Sequence, residues 1–331
     1  MQVDIKTQQI QPLRQTYGHV ARRFGDKPAS RYQEATYDVQ SEVNFHYRPT
    51  WDAAHELYDQ RRTAIVMADW YALRDPRQYY YGAYVTTRGR QQEATEKTFA
   101  FVEKRGLLQA LPHVWQARLA EGLLPLRHVE WGANMNNFYC ADYGWGTAIT
   151  QACTYCAMDR LGMAQYLSRI GLLLDGNTGV ALVRAREAWL EGEVWQPLRR
   201  FVEESFVIED WFETFVTQNL VLDGLLYPLV YQHADAVISH ECGTSLAMLT
   251  EFMNDWREEH TRWVDSVVQT VAKESDANRL LLSGWARAAA DRATEALGPV
   301  ATALTGTDGA QMAALCREQF DQRLAKLGLA A

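Results

Sequence analysis

Residues 145–170 read WGTAITQACTYCAMDRLGMAQYLSRI, and their spacing decides the fold class. Alternate steps of four and three residues place Trp145, Ile149, Ala152, Cys156, Asp159, Met163, Tyr166 and Ile170 on one face of a long helix. Seven of these eight are apolar or aromatic, and the exception, Asp159, lies in the middle of the stripe. A carboxylate on an apolar face costs on the order of several kcal/mol unless it is paired, protonated or bound to a metal. Metal-binding four-helix bundles use Glu-x-x-His, which aims a carboxylate and an imidazole at one ion. Here the same spacing gives Asp159 and Gly162. The helix has the setting of a metal site without the imidazole.

The histidines extend this reading to the whole chain. His19, His46, His55, His113, His128, His233, His240 and His260 are preceded, three residues earlier, by Thr16, Val43, Asp52, Ala110, Pro125, Val230, Val237 and Arg257. No Glu-x-x-His exists, and Asp52-x-x-His55 stands alone, outside the long helical patterns. No His-x-x-x-His pair is present, so zinc hydrolase chemistry lacks its usual imidazoles. Asp255 and Glu258 repeat the ligand spacing, again with an acid where an imidazole is needed. A metal there would need mostly carboxylate ligands. The plainer reading is an ion-paired helix face, with Glu258 and Arg262 spaced i, i+4.

Cys153-x-x-Cys156 falls two turns inside a helix rather than at its start, and no second pair completes a zinc set. Both cysteines read as small buried apolar residues. Glycine-rich phosphate loops and Gly-x-Ser-x-Gly are absent. His240 and Cys242 would diverge on a helix, which removes a thiol–imidazole pair.

Working outward, the 331 residues suffice for a sizeable core, and the formal net charge of −8 argues against nucleic acid or an anionic membrane as principal partner. No apolar run reaches the roughly eighteen residues of a membrane span, and the first residues lack a signal-peptide layout. The expectation is a cytoplasmic protein. The nine prolines leave 126–196 and 229–298 free, which suits long helices. Helices are expected over 107–122, 127–140, 145–174, 180–195, 199–231 and 234–272. The turn Asp175-Gly176-Asn177-Thr178-Gly179 separates two of them. Pro228 should kink its helix unless the helix ends there, and the tail from Ser275 should break near Leu297-Gly298-Pro299 and again at 306–309. Helical periodicity is also read over 51–71, ending at Asp75-Pro76.

Residues 1–50 form an aromatic-rich arm of weak periodicity, expected to lie against its own domain or another subunit, and 51–331 form a single helical domain. Tyr79, Tyr80 and Tyr81, with Arg77, Arg88 and Arg90, have the composition of an interface, though ordinary core packing accounts for them equally. The fold is expected to be all-α.

One stretch is distinctive. Asp69-Trp70-Tyr71-Ala72-Leu73-Arg74-Asp75-Pro76-Arg77-Gln78-Tyr79-Tyr80-Tyr81-Gly82, followed by Arg88-Gly89-Arg90-Gln91-Gln92-Glu93, resembles the hydroxylase β subunit of bacterial multicomponent monooxygenases, within the phenol hydroxylase branch. Cys156 to Gln165 and Gln218-Asn219-Leu220 add to the likeness, which runs nearly the whole length. The resemblance implies a ferritin-like helical bundle with flanking helices, related to a catalytic α subunit that holds a di-iron centre through two Glu-x-x-His motifs. The matching positions here are Asp159, Gly162, Asp255 and Glu258, both imidazoles being absent. Glu130 and either Glu213 or Asp223 are the remaining acids that could match.

The resemblance further implies an (αβγ)2 assembly that hydroxylates phenol-type aromatics with O2 and NADH. A reductase with FAD and an iron–sulfur cluster and a small regulatory protein would act on it transiently. This chain would carry no catalytic residue, metal or cofactor of its own. Two rivals remain: a freestanding ferritin-like oxidase using Asp159, Asp255 and Glu258, and a freestanding helical binding module.

Overall fold

A computed structural model describes residues 17–42 and 48–329. Among them every regular element is helical. The fold is all-α, as the periodicity and the resemblance both imply.

Two short helices open the described chain, α1 (Gly18–Phe24) and α2 (Arg31–Thr36). Ser30 starts α2 with a capping box: its hydroxyl accepts from Gln33 N–H, and the Gln33 side chain accepts from Ser30 N–H. Tyr32 and Tyr37 pack with Tyr71 and Ala148, and Tyr32 Oη accepts from Asp75 N–H at 3.1 Å. This part of the arm lies against its own chain. Phe45 and Tyr47 fall outside the described residues.

Residues 51–71 form no regular helix beyond a single 3-10 turn at Trp70–Ala72, contrary to their periodicity. The physical reason is that distant side chains take up the backbone groups a helix would have used. Ala64 N–H donates to Asp210 Oδ2 at 2.7 Å, and Ala68 N–H to Glu274 Oε1 at 2.9 Å. Val66 N–H donates to Asn278 Oδ1, and Val66 O accepts from Asn278 Nδ2. Ile65 and Met67 point into the core while Val66 points out, the alternation of extended chain.

The next helix, α3 (Tyr81–Arg105), is not among the helices expected from sequence. It buries only Tyr84, Phe99 and Val102, so its apolar stripe is too thin to read. α4 (His113–Arg118) follows and passes directly into the wider turns of a π-helix at Leu119–Leu123. α5 (Leu126–Tyr143) and α6 (Thr147–Leu174) then pack side by side, joined by Gly144–Gly146. Gly146 adopts φ +92 and lies against Trp70, a conformation and a closeness that favour glycine.

After α7 (Val180–Glu191) and α8 (Gln196–Ser205), the helix expected over 199–231 breaks at 206–210. Asp210 caps the restart, accepting from Phe212 and Glu213 N–H. From there the chain stays helical through α9 (Trp211–Phe215), α10 (Asp223–Pro228) and α11 (Asp235–Cys242). π-helical stretches at Val216–Leu222 and Leu229–Ala234 link the three. Pro228 thus neither ends the helical path nor stands in uniform α-helix. Its missing N–H falls where the path passes into wider turns.

Gly243 at φ +84 and Thr244 break the helix expected over 234–272, and α12 (Ser245–Glu274) begins after them. α13 (Asp276–Thr305) starts on the Ser275 cap, whose hydroxyl accepts from Asn278 N–H. It runs straight through Gly298 and Pro299, where a break is expected from sequence. Burial of Leu297, Val300, Ala301 and Leu304 against the rest of the bundle outweighs the one hydrogen bond Pro299 removes. α14 (Gly309–Lys326) packs back on α13. No helix among the described residues is long and apolar enough to cross a membrane.

Candidate functional site

Six of the eight residues in the Trp145–Ile170 stripe are buried as expected, including Asp159, and Cys153 and Cys156 are buried free thiols. Asp159 faces α3 and α12. Its Oδ1 accepts from Tyr84 Oη at 2.9 Å and Arg88 Nε at 2.8 Å; its Oδ2 accepts from Arg88 Nη2 at 2.7 Å and Trp256 Nε1 at 2.9 Å. Arg88 also pairs with Glu259. Burial alone would lower the Arg88 pKa, but Asp159 and Glu259 outweigh it and raise it. Arg77 sits beside this group, bonded to Asp75 and facing the Trp263 ring.

A second cluster lies deeper. Arg160, one residue beyond Asp159, is 1% exposed and enters the space between α5, α10 and α12. Its Nη1 donates to Glu130 Oε2 at 3.0 Å and to Tyr227 Oη at 2.8 Å, and its Nη2 pairs with Asp223. Tyr227 Oη donates to Glu130 Oε1 at 2.7 Å, and Gln218 Nε2 donates to Asp223 Oδ1 at 2.9 Å. Each carboxylate therefore has one oxygen pinned by a neutral donor and the other turned to the guanidinium. Gln218 stands on the Val216–Leu222 π stretch, and its Oε1 accepts from Asn136 Nδ2, extending the chain of amides to Ser205.

His260 completes the cluster. Its ring stacks on Trp256 with centroids 4.2 Å apart, and its Nε2 lies 3.2 Å from Asp223 Oδ2 without the geometry of a hydrogen bond. Burial, and then Arg160 and Arg77, hold this imidazole neutral by lowering its pKa well below the ordinary value. Burial raises the pKa of Glu130, and lifts Asp223 to about 6, against the pull of Arg160. Burial would lower Arg160, but Asp223, Tyr227 and Glu130 outweigh it.

The four residues expected at lost metal positions are not brought together. Asp159 is inside, Gly162 is partly exposed with nothing near the position of an added Cβ, and Asp255 and Glu258 lie on the outer side of α12. The inward residues of that helix are Trp256 and His260, offset by a residue or two from the spacing chosen on sequence. Among the described residues Glu258 forms no ion pair with Arg262. Glu130 and Asp223 do converge, whereas Glu213 does not join them. Asp52 and His55 form a surface-side pair at 2.9 Å that Arg62 shares.

The interface candidates divide. Tyr79, Arg77 and Arg88 hold α3 and the preceding loop to this chain's own bundle, while Tyr81 and Arg90 are exposed and Tyr80 is half-buried. Sequence reading missed Arg160, Tyr227, Trp256 and His260. A signal for Arg160 existed, because stepping from Cys156 by four and then three reaches Met163 through Arg160 as readily as through Asp159.

Residues 51–275 match the family model described as methane/phenol/alkene hydroxylase. The chain belongs to this family. It is 57% identical over 331 residues to the phenol 2-monooxygenase oxygenase component DmpL of Pseudomonas sp. (strain CF600), covering 99% of this chain and 98% of that one. It is 48% identical over 329 residues to the oxygenase component MhpL of Acinetobacter pittii (strain PHEA-2), with 99% and 98% covered. Among solved structures, phenol hydroxylase from Pseudomonas sp. OX1 superposes with a TM-score of 0.92 at 48% identity, covering 98% of each chain. These relatives put this member of the hydroxylase family in the phenol hydroxylase branch, in keeping with the resemblance carried by Asp69–Gly82. In such a family a di-iron centre is the metal to test for, and the residues here do not fit one. A guanidinium stands between Glu130 and Asp223, one imidazole is present, and Asp159 is committed to Arg88, Tyr84 and Trp256.

Proposed function

We propose that this chain is a non-catalytic structural subunit of a di-iron phenol hydroxylase, supporting the catalytic α subunit and the dimer of the complex. The observation that carries the reading is Arg160, a fixed cation placed between the carboxylates of the buried core. The same observation weighs against a freestanding carboxylate-rich oxidase, because its metal would have to displace an arginine. In this reading the α subunit holds the iron, a γ subunit completes an (αβγ)2 assembly in the cytoplasm, and NADH electrons arrive through a reductase with FAD and an iron–sulfur cluster. A small regulatory protein joins transiently, and the complex hydroxylates phenol-type aromatics with O2. The arm, 1–50, and the helical body, 51–331, serve as the two parts of the subunit.

A docking face supports a macromolecular partner. Between 128 and 141 on α5 the exposed residues are Trp131, Met135 and Phe138, and between 148 and 164 on α6 they are Met158 and Leu161. In a chain of net charge −8, these two stretches of adjacent helices expose five large apolar side chains and no charge, the first exposed charge on α5 being Asp142 at its end. We assign it to an equally uncharged helical face of the α subunit, with Tyr81 and Arg90 as further contacts.

Co-expression of the chain with the α subunit tests this. Met135→Lys with Met158→Glu should abolish co-purification while the circular dichroism of the isolated chain stays native. Metal analysis of the chain purified alone from iron-supplemented cells should find essentially none. Unchanged co-purification refutes the docking face, and about two irons per chain, the complement of a di-iron site, refutes the structural role.

A further inference from the structure

We propose that Arg160 is an internal cation that closes a divalent-metal site otherwise built from Glu130, Asp223 and His260. This goes beyond the subunit's role in any complex, since it concerns the core of this chain whatever its partners.

The site is built to present ligands. Glu130 comes from α5, Asp223 from α10 and His260 from α12, and all three are buried. Two carboxylates and a neutral imidazole form a donor set suited to first-row divalent ions. The supporting shell is in place as well. Tyr227 pins Glu130 Oε1 and Gln218 pins Asp223 Oδ1, so Glu130 Oε2 and Asp223 Oδ2 are left to face a cation. His260 Nε2 is buried, makes no hydrogen bond and lies 3.2 Å from that same Asp223 oxygen. A buried, unpartnered nitrogen beside a carboxylate adds nothing to an arginine–carboxylate pair, whereas a metal would use it as a ligand.

Arg160 closes the site in two ways. Its charge answers the two carboxylates, and its planar head spaces them at hydrogen-bond distance rather than the ~2.0–2.2 Å of metal ligation. Accordingly, no three acid, cysteine or histidine side chains among the described residues are gathered closely enough to hold an ion. The further carboxylate a dinuclear centre would recruit, Asp159, is bound to Arg88 and to the indole N–H of Trp256. The site that opens without Arg160 therefore takes one ion and not two.

Cobalt(II) titration of the full chain tests the proposal. The native chain should give no visible Co2+ bands beyond free ion and no rise in melting temperature. Arg160→Ala should bind one Co2+ per chain, at least about tenfold tighter than the native chain, with visible bands and a higher melting temperature in its presence. Arg160→Ala with Asp223→Asn should lose both. If Arg160→Ala does not stay folded without metal, refolding with Co2+ should recover native circular dichroism. Folded Arg160→Ala with no Co2+ binding above native overturns the proposal, as does refolding that Co2+ fails to rescue. Native Co2+ binding that Asp223→Asn removes would do the same. Iron at some other place in the native chain would refute the structural role above but leave this result standing.

Discussion

Trp256 donates its indole N–H to Asp159 Oδ2 at 2.9 Å, and Arg160 lies over the same ring, 4.3 Å from its centroid. One fully buried side chain thus separates the two arginine clusters and serves both. Trp256→Phe keeps an aromatic ring but removes a donor to a buried carboxylate and leaves a small void. The expected cost is about 2–4 kcal/mol, read from denaturant unfolding of the purified chain. A cost below about 0.5 kcal/mol would mean that Arg88 and Tyr84 satisfy Asp159 without the indole.

The pH dependence of stability should carry the signature of the deeper cluster. Burial raises Asp223 from 3.8 to about 6, so the native chain keeps a proton that the unfolded chain releases. The contribution of Asp223 to stability is then largest below its unfolded pKa, falls as pH rises through about 6, and is level above. His260 works in the opposite sense: it stays neutral when folded, so stability is lost as pH falls below its unfolded value of 6.5. Unfolding midpoints at several pH values should show Asp223→Asn gaining on the native chain as pH rises from about 4 to 6, and His260→Gln gaining as it falls through that range. Differences that do not vary with pH would contradict both assignments.

Gly122 permits a close approach of chain segments. A Cβ there would stand 2.9 Å from Leu304 Cα and 3.0 Å from Leu304 N, both backbone atoms of α13 that cannot swing aside. Gly122→Ala should therefore destabilise the chain by about 1–3 kcal/mol, even though alanine is the better helix former. A melting temperature equal to or above native would show that the π-helical turn carrying Gly122 can shift away from α13.

The helical character of 145–174 and the anomaly of Asp159 were legible because the stripe there is wide and strongly apolar. Arg160 was legible only as an alternative step of that stripe, because a charged residue beside an expected inward acid reads as the solvent side of the helix. The approach of α5, α10 and α12 turns that side into core. Helix α3 escaped because three buried residues in twenty-five make no visible stripe. Residues 51–71 misled for the opposite reason: apolar side chains recur there, but Asp210, Glu274 and Asn278 hold their backbone in extended form. On α12 the spacing pointed to Asp255 and Glu258, and the packing of Trp256 against Arg160 and His260 turns them outward. The π-helical stretches also defeat a fixed period, since each wide turn rotates the residues after it.

Arg160 also bears on how the chain comes to its folded state. A core whose positive charge is encoded in the polypeptide carries its cation with it as the chain folds. Folding alone then brings the guanidinium to Glu130 and Asp223, with no ion taken up from solution to stand between them.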